Sequence, residues 1–165
     1  MNKYIYFVEG ECEEKLLDAI KAQPPLIHPG KVKVFPVIQK VLTSSHLIQI
    51  QDGTVVVLVF DTDVGETKFL KKNIELLKKR CSRVKIVYLA QVKNFEDEIV
   101  RSTDIRQPRD LTGSKSARDF KRDFCARSNV RNLLMQHHFD VQKIWVTPKP
   151  EAYRFTEDNA CIVKV

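Results

Sequence analysis

Three groups of carboxylates stand where a folded chain could bring them together: Glu9, the triplet Asp61-Thr62-Asp63, and the run Glu96-Asp97-Glu98. Carboxylates crowded into one cleft repel each other, and burial raises the cost of ionising each. A divalent cation relieves that repulsion. Magnesium takes oxygen ligands, keeps several waters, and commonly uses one or two carboxylates together with substrate phosphate. Manganese accepts the same ligands. Side chains two apart on an extended strand point the same way, so Asp61 and Asp63 would share a side if the strand runs that far. Gly10 would leave room beside Glu9 for a backbone or phosphate. Each acid also has a plainer role. Glu9 could favour the dipole of a following helix, and Asp63 could cap one. Asp97 and Glu98 suit the acidic first turn of a helix.

The strand pattern is what would assemble these acids. Residues 3–8 are aromatic and β-branched, a strand signal, and they end at Glu9. Residues 11–22 carry Leu16, Leu17 and Ile20 at helical spacing, and Pro24-Pro25 stops that helix. Residues 31–35 alternate and predict a strand nearer an edge. A short helix is expected in 43–50, opened by Thr43 or Ser44. Residues 54–60 are uniformly apolar or β-branched, which predicts a strand covered on both faces, and they run into Asp61. A helix over 66–80, a strand over 84–89 and a helix over 95–102 follow. Residues 103–114 carry turn formers, 115–136 predict one or two helices, and 141–146 predict a last strand. Strands alternating with helices argue for an α/β fold with a mostly parallel central sheet flanked by helices. In such a sheet ligands bind beyond the carboxyl ends of the strands, which is where Glu9 and Asp61 fall.

Composition sets limits on the rest. The chain has 165 residues, 43% of them hydrophobic and 30% charged, enough for one domain with a real core. Its first apolar run is too short for a secretory signal, and no stretch approaches the roughly 18 apolar residues of a membrane helix. A cytoplasmic protein with no membrane association is expected. Cys12, Cys81, Cys125 and Cys161 form no C-x-x-C pair and are expected to be reduced thiols.

The formal net charge is +7, which favours a polyanionic partner. Residues 1–63 carry a net −2, residues 66–85 a net +6 and residues 101–131 a net +5. The lysines of 66–85 fit the solvated face of an amphipathic helix. Lys115, Arg118, Lys121 and Arg122 are the candidate nucleic-acid contacts, with Lys115, Arg118 and Arg122 expected on one helical face away from Phe120 and Phe124. His137-His138 is expected at a surface or helix end, and Trp145 in the core. No Walker phosphate loop is present, so ATP hydrolysis would fall to a separate partner.

A strand ending Val8-Glu9-Gly10, an acid-rich helix, and a hydrophobic strand ending Phe60-Asp61-Thr62-Asp63 resemble the TOPRIM domain. That domain occurs in type IA topoisomerases, bacterial primases, OLD-family nucleases and RecR-like repair proteins. Val8-Glu9-Gly10-Glu11-Cys12-Glu13 is most similar to the OLD and RloB-like branch, with Cys12 at the usual threonine. Asn94-Phe95-Glu96-Asp97-Glu98-Ile99 is similar to the third motif of RloB-like proteins. The resemblance covers roughly residues 3–100; 103–139 would be a basic helical insertion without counterpart. It implies a Rossmann-like TOPRIM fold with the first strand beside the strand ending at Asp61. Glu9 would be a general acid/base or metal ligand, Asp61 and Asp63 a metal-binding pair, and Glu96 a further metal ligand. It also implies Mg2+ or Mn2+, a DNA or RNA substrate, a nuclease activity, an ATPase partner as in some OLD-type systems, and a role in phage defence or mobile elements. Two other readings stand beside it. One is a TOPRIM-type binding module without turnover. The other is a haloacid dehalogenase-type phosphatase with Asp61 as nucleophile, although that family places its aspartate after the first strand.

Overall fold

The computed structural model describes residues 2–165. Its centre is an all-parallel four-stranded sheet of β1 (Lys3–Val8), β2 (Gly30–Val34), β3 (Thr54–Asp61) and β4 (Lys85–Gln91), in the order β2-β1-β3-β4. Every residue of β3 from Thr54 to Phe60 is buried, as its unbroken apolar run requires of a central parallel strand. β2 is the half-exposed edge. It lies so close to β1 that a Cβ at Gly30 would sit 2.5 Å from the Tyr4 carbonyl oxygen, so only glycine fits there.

Strand period two divides the core into two layers. Tyr4, Tyr6, Val8, Val55, Val57, Val59, Val87 and Leu89 face one way. On them lie α1 (Glu11–Lys21), α4 (Phe95–Ser102), α5 (Pro108–Thr112), α6 (Phe120–Ala126) and α7 (Val130–Gln136). Ile5, Phe7, Val56, Leu58, Phe60 and Tyr88 face the other way, onto α3 (Lys68–Arg80) and the segment around α2 (Ser44–Leu47). The region 103–139 is therefore helical, as expected, and closes one face of the sheet. Its anchor is an aromatic cluster in which Phe120 and Phe124 pack on Phe95, with centroids 6.3 and 5.4 Å away.

Residues 141–146 do not form the expected strand. Ile144 and Trp145 are buried, so their apolar character reflects core packing rather than pairing. The free edge of β4 is already taken: Asn159 accepts from the Tyr88 N–H (2.9 Å) and donates to the Ile86 carbonyl (2.9 Å). One side chain thus satisfies two of the backbone groups a fifth strand would have paired. Trp145 turns away at φ 61°, and its N–H donates to Glu98 (2.9 Å).

The other structural expectations fare unevenly. Helix 115–136 is two helices, preceded by a 3-10 turn at Ala117–Asp119. All four cysteines are free thiols, with Cys12 and Cys125 sulfurs 2.9 Å apart. His137 and His138 end α7 and share Asp104 at 3.0 and 2.7 Å. No helix among the described residues is long and apolar enough to cross a membrane.

Candidate functional site

The chain leaves β1 through α1 towards β2, then returns past β1 to β3. Strand order therefore reverses between β1 and β3, and the crevice beyond their carboxyl ends is the topological switch point of the sheet. Glu9 follows directly on β1 and Asp61 is the last residue of β3. Asp63 lies two residues further on, exposed in the loop before α3. The fold thus brings Glu9, Asp61 and Asp63 into one electrostatic neighbourhood.

Two residues that the sequence reading did not select complete the cluster. Glu13, on the first turn of α1, is only 4% exposed. Gln91, the last residue of β4, is fully buried and donates through Nε2 to both Asp61 Oδ1 (2.6 Å) and Glu13 Oε1 (3.0 Å). One amide thus holds two carboxylates together. Its own Oε1, like Glu9 Oε1, is buried without a hydrogen-bond partner among the described residues. Glu13 was visible as an acid three residues after Gly10, facing the same side as Leu16 and Leu17. Gln91 carried no signal beyond its place at a strand end.

The cluster is short of positive charge, and its protonation reflects that. Burial, then Asp61, Glu13 and Asp63, push the Glu9 carboxyl up to about 8. Burial and Glu13 push Asp61 up to about 7, with Asp63 adding and the Gln91 hydrogen bond and Lys121 opposing. At neutral pH, without a bound cation, the pair therefore retains protons.

Glu96 joins this group indirectly. It is half-buried on α4 and pairs with Lys121 at 3.5 Å. Burial disfavours the Lys121 ammonium, but Glu96, Glu13 and Asp61 outweigh it and hold its pKa above the ordinary value. Lys121 is thus part of the acid site rather than of a separate phosphate-binding face. Glu98, two residues on, is a different kind of acid. It is completely buried and accepts from the Val92 N–H (3.0 Å), the Trp145 N–H (2.9 Å) and Arg101 (2.7 Å). Those three bonds make it a structural post. Asp97 also serves α4, whose N-cap Asn94 accepts from the Asp97 N–H at 3.0 Å.

The expected basic face is not built as the spacing suggested. Lys115 lies before the 3-10 turn, outside any helix, so it does not share a helical face with Arg122; Arg118 lies within that turn, four residues before Arg122. Both are exposed. Arg122 pairs with Asp119 and Asp123, each at 3.1 Å. A Cβ at Gly10 would meet only Glu13 Oε2 at 3.5 Å, an ordinary contact, so packing does not require glycine.

The chain's last segment contributes as well. Tyr153 is buried against Phe60, with ring centroids 5.7 Å apart, and its hydroxyl donates to the Val64 carbonyl. It fixes the loop that carries Asp63. Burial and the charges of Asp63, Glu9 and Asp61 raise its phenol.

The donor set suits a hard divalent cation: three to four carboxylates, an amide oxygen and an unpartnered buried carboxylate oxygen. Among the described residues no three His, Cys, Asp or Glu side chains are already convergent as a metal coordination set. Comparison with protein-family models, curated proteins and solved structures returns no match.

Proposed function

We propose that the chain is a TOPRIM-like protein of the OLD and RloB-like kind, a Mg2+- or Mn2+-dependent nuclease acting on DNA or RNA. The observation that carries the reading is the position of Glu9 and Asp61. They close the two strands that flank the switch point, in a half-buried cluster whose carboxylates outnumber the one ammonium beside them, Lys121. Glu9, Asp61 and Asp63 would hold the metal, with Glu96 at the margin beside Lys121. A bound metal would lower the pKa of a coordinated water and neutralise charge on the reacting phosphate.

The chain's own residues supply the rest. Gln91 holds Asp61 and Glu13 in fixed orientation. Where Glu9 is not a ligand, its carboxyl would exchange a proton with a leaving or attacking oxygen. Lys121 places a positive charge at the rim. Tyr153 fixes the Asp63 loop. With no Walker phosphate loop in the sequence, an ATPase activity would belong to a partner.

The test is cleavage of labelled single- and double-stranded DNA and RNA with magnesium, manganese or chelator, beside the variant Asp61→Asn with Asp63→Asn. Metal-dependent cutting lost in the double variant supports the proposal. Cutting retained there removes these residues from the chemistry. Hydrolysis of a small phosphomonoester alone would favour the dehalogenase-type phosphatase. Salt-sensitive binding without cutting would favour a binding module or an enzyme awaiting its ATPase.

A further inference from the structure

The basic charge of α3 has an apolar element that a merely solvated helix does not need. Six of its thirteen residues are Lys or Arg and one is an acid, Glu75. A shallow groove of about 580 Å³ runs along its first half, lined by Val41, Phe69, Lys68, Lys71 and Lys72 with Glu66 and Glu75. Phe69, in that groove, is 37% exposed, while Phe155 at 43% and Val64 at 50% are exposed outside its lining. Lys71 Nζ stands 4.9 Å from the centre of the Phe155 ring. Large apolar groups are therefore interleaved with ammonium groups. Among the described residues, the only ion pair of these lysines is Lys72 with Glu75, at 3.7 Å between well-exposed side chains.

This surface adjoins the acid site. Val64 follows Asp63 directly, and the Tyr153 hydroxyl ties the Val64 carbonyl to the segment that presents Phe155. We infer that the Phe69–Phe155 surface of α3 binds single-stranded nucleic acid and delivers it to the cluster at Asp61 and Asp63. The inference deepens the nuclease reading and rests on it for the class of polymer. The chemistry selects single strands. Unpaired bases offer faces to exposed aromatic rings, while lysines follow the phosphates. A duplex buries those faces and could use only the lysines. The segment at Lys115–Arg122 lacks this pairing of features: its exposed bases stand without exposed aromatics, and Arg122 is committed to two aspartates.

The experiment is fluorescence anisotropy of the full chain with labelled single strands of DNA and RNA and with matched duplexes, in chelator. Binding is thereby read without cleavage. Wild type is expected to prefer single strands. Phe69→Ala with Phe155→Ala should weaken that binding about tenfold with the salt slope kept. Lys68→Gln, Lys71→Gln and Lys72→Gln together should lower the slope of log K against log salt by about 2. Lys115→Gln with Arg118→Gln should do less. Thermal melts confirm that each variant is folded, and the lysine variant, fully on the surface, carries the test if the aromatic one is not. Equal or better duplex binding, unchanged affinity in both α3 variants, or no single-strand binding by wild type overturns the inference. Intact α3-dependent binding with no cutting in magnesium would leave this surface standing and overturn only the reading of the chain as a nuclease acting on its own. Cutting by wild type with both α3 variants unaffected would refute only this surface.

Discussion

Asp61→Asn is expected to stabilise the metal-free protein at alkaline pH. The carboxyl of Asp61 lies near 3.8 in an unfolded chain and is pushed up to about 7 in the fold. A group whose folded pKa is raised binds its proton more tightly when folded. Its contribution is fully present below the unfolded value and is lost as pH rises through the folded one. The shift corresponds to about 4 kcal/mol of stability lost between roughly pH 4 and pH 7, if no cation replaces the proton. Asn carries no charge at any of these pH values, and its side-chain oxygen can still accept from Gln91. It also removes one of the charges that raise Glu9. Wild type and variant should therefore melt alike at about pH 3.5, below the unfolded value. At about pH 8.5 in chelator the variant should be more stable by as much as about 4 kcal/mol, or up to ~10 °C for a domain of this size. Taking the difference between the two proteins cancels groups such as His46, whose pKa is lowered by burial and by Lys33 and whose effect runs the other way. Excess magnesium should then invert the order by stabilising wild type alone. The assay is thermal melting by circular dichroism at both pH values, with chelator and with magnesium. A melting difference independent of pH, or a variant less stable at pH 8.5 in chelator, would refute the account of a charge-frustrated site.

Three further outcomes follow from the same contacts. Glu98→Ala should destabilise the protein by about 3–5 kcal/mol, because it strands the Val92 and Trp145 N–H groups and Arg101; a loss below about 1 kcal/mol in denaturant melts would contradict its structural role. Asn159→Ala should cost about 1–3 kcal/mol and speed hydrogen exchange at the Tyr88 amide, since the edge of β4 loses its cover; exchange that stays slow would mean another group protects the edge. Tyr153→Phe keeps the stacking on Phe60 but loses the bond to Val64, so about 1 kcal/mol of stability should go and divalent-cation binding by calorimetry should weaken. Unchanged cation affinity there would show that the Asp63 loop does not depend on Tyr153.

The sheet was legible in the sequence because its signals are local. The unbroken apolar run of β3 and the aromatic run of β1 each specify a buried strand whatever surrounds them. The helices α1 and α3 declared themselves by apolar spacing, and both ends lie close to expectation. Residues 141–146 misled because burial, not pairing, accounts for Ile144 and Trp145; the side chain that forecloses pairing, Asn159, is more than a dozen residues downstream. Lys121 was read with its neighbours in sequence, Arg118 and Arg122. Only the docking of Phe120 and Phe124 on Phe95 turns its side chain towards Glu96 and Glu13. Gln91 could not be singled out at all, since its role depends on two carboxylates 78 and 30 residues away.

Burial alone does not distinguish the acids of this chain, but hydrogen-bond accounting does. Glu98 and Glu13 are both buried, and Glu9 is half-buried. Glu98 accepts two backbone N–H groups and a guanidinium, which repay its desolvation and leave it nothing to offer a ligand. Glu9 keeps an oxygen with no partner, Glu13 and Asp61 share a single amide, and the three raise or face one another's charge. An arrangement like that of Glu98 stabilises a fold. The arrangement at Glu9 and Asp61 costs several kcal/mol when no cation is bound. A cation bound at this switch point would offset that deficit, and by linkage it would stabilise the folded chain according to its concentration relative to its Kd.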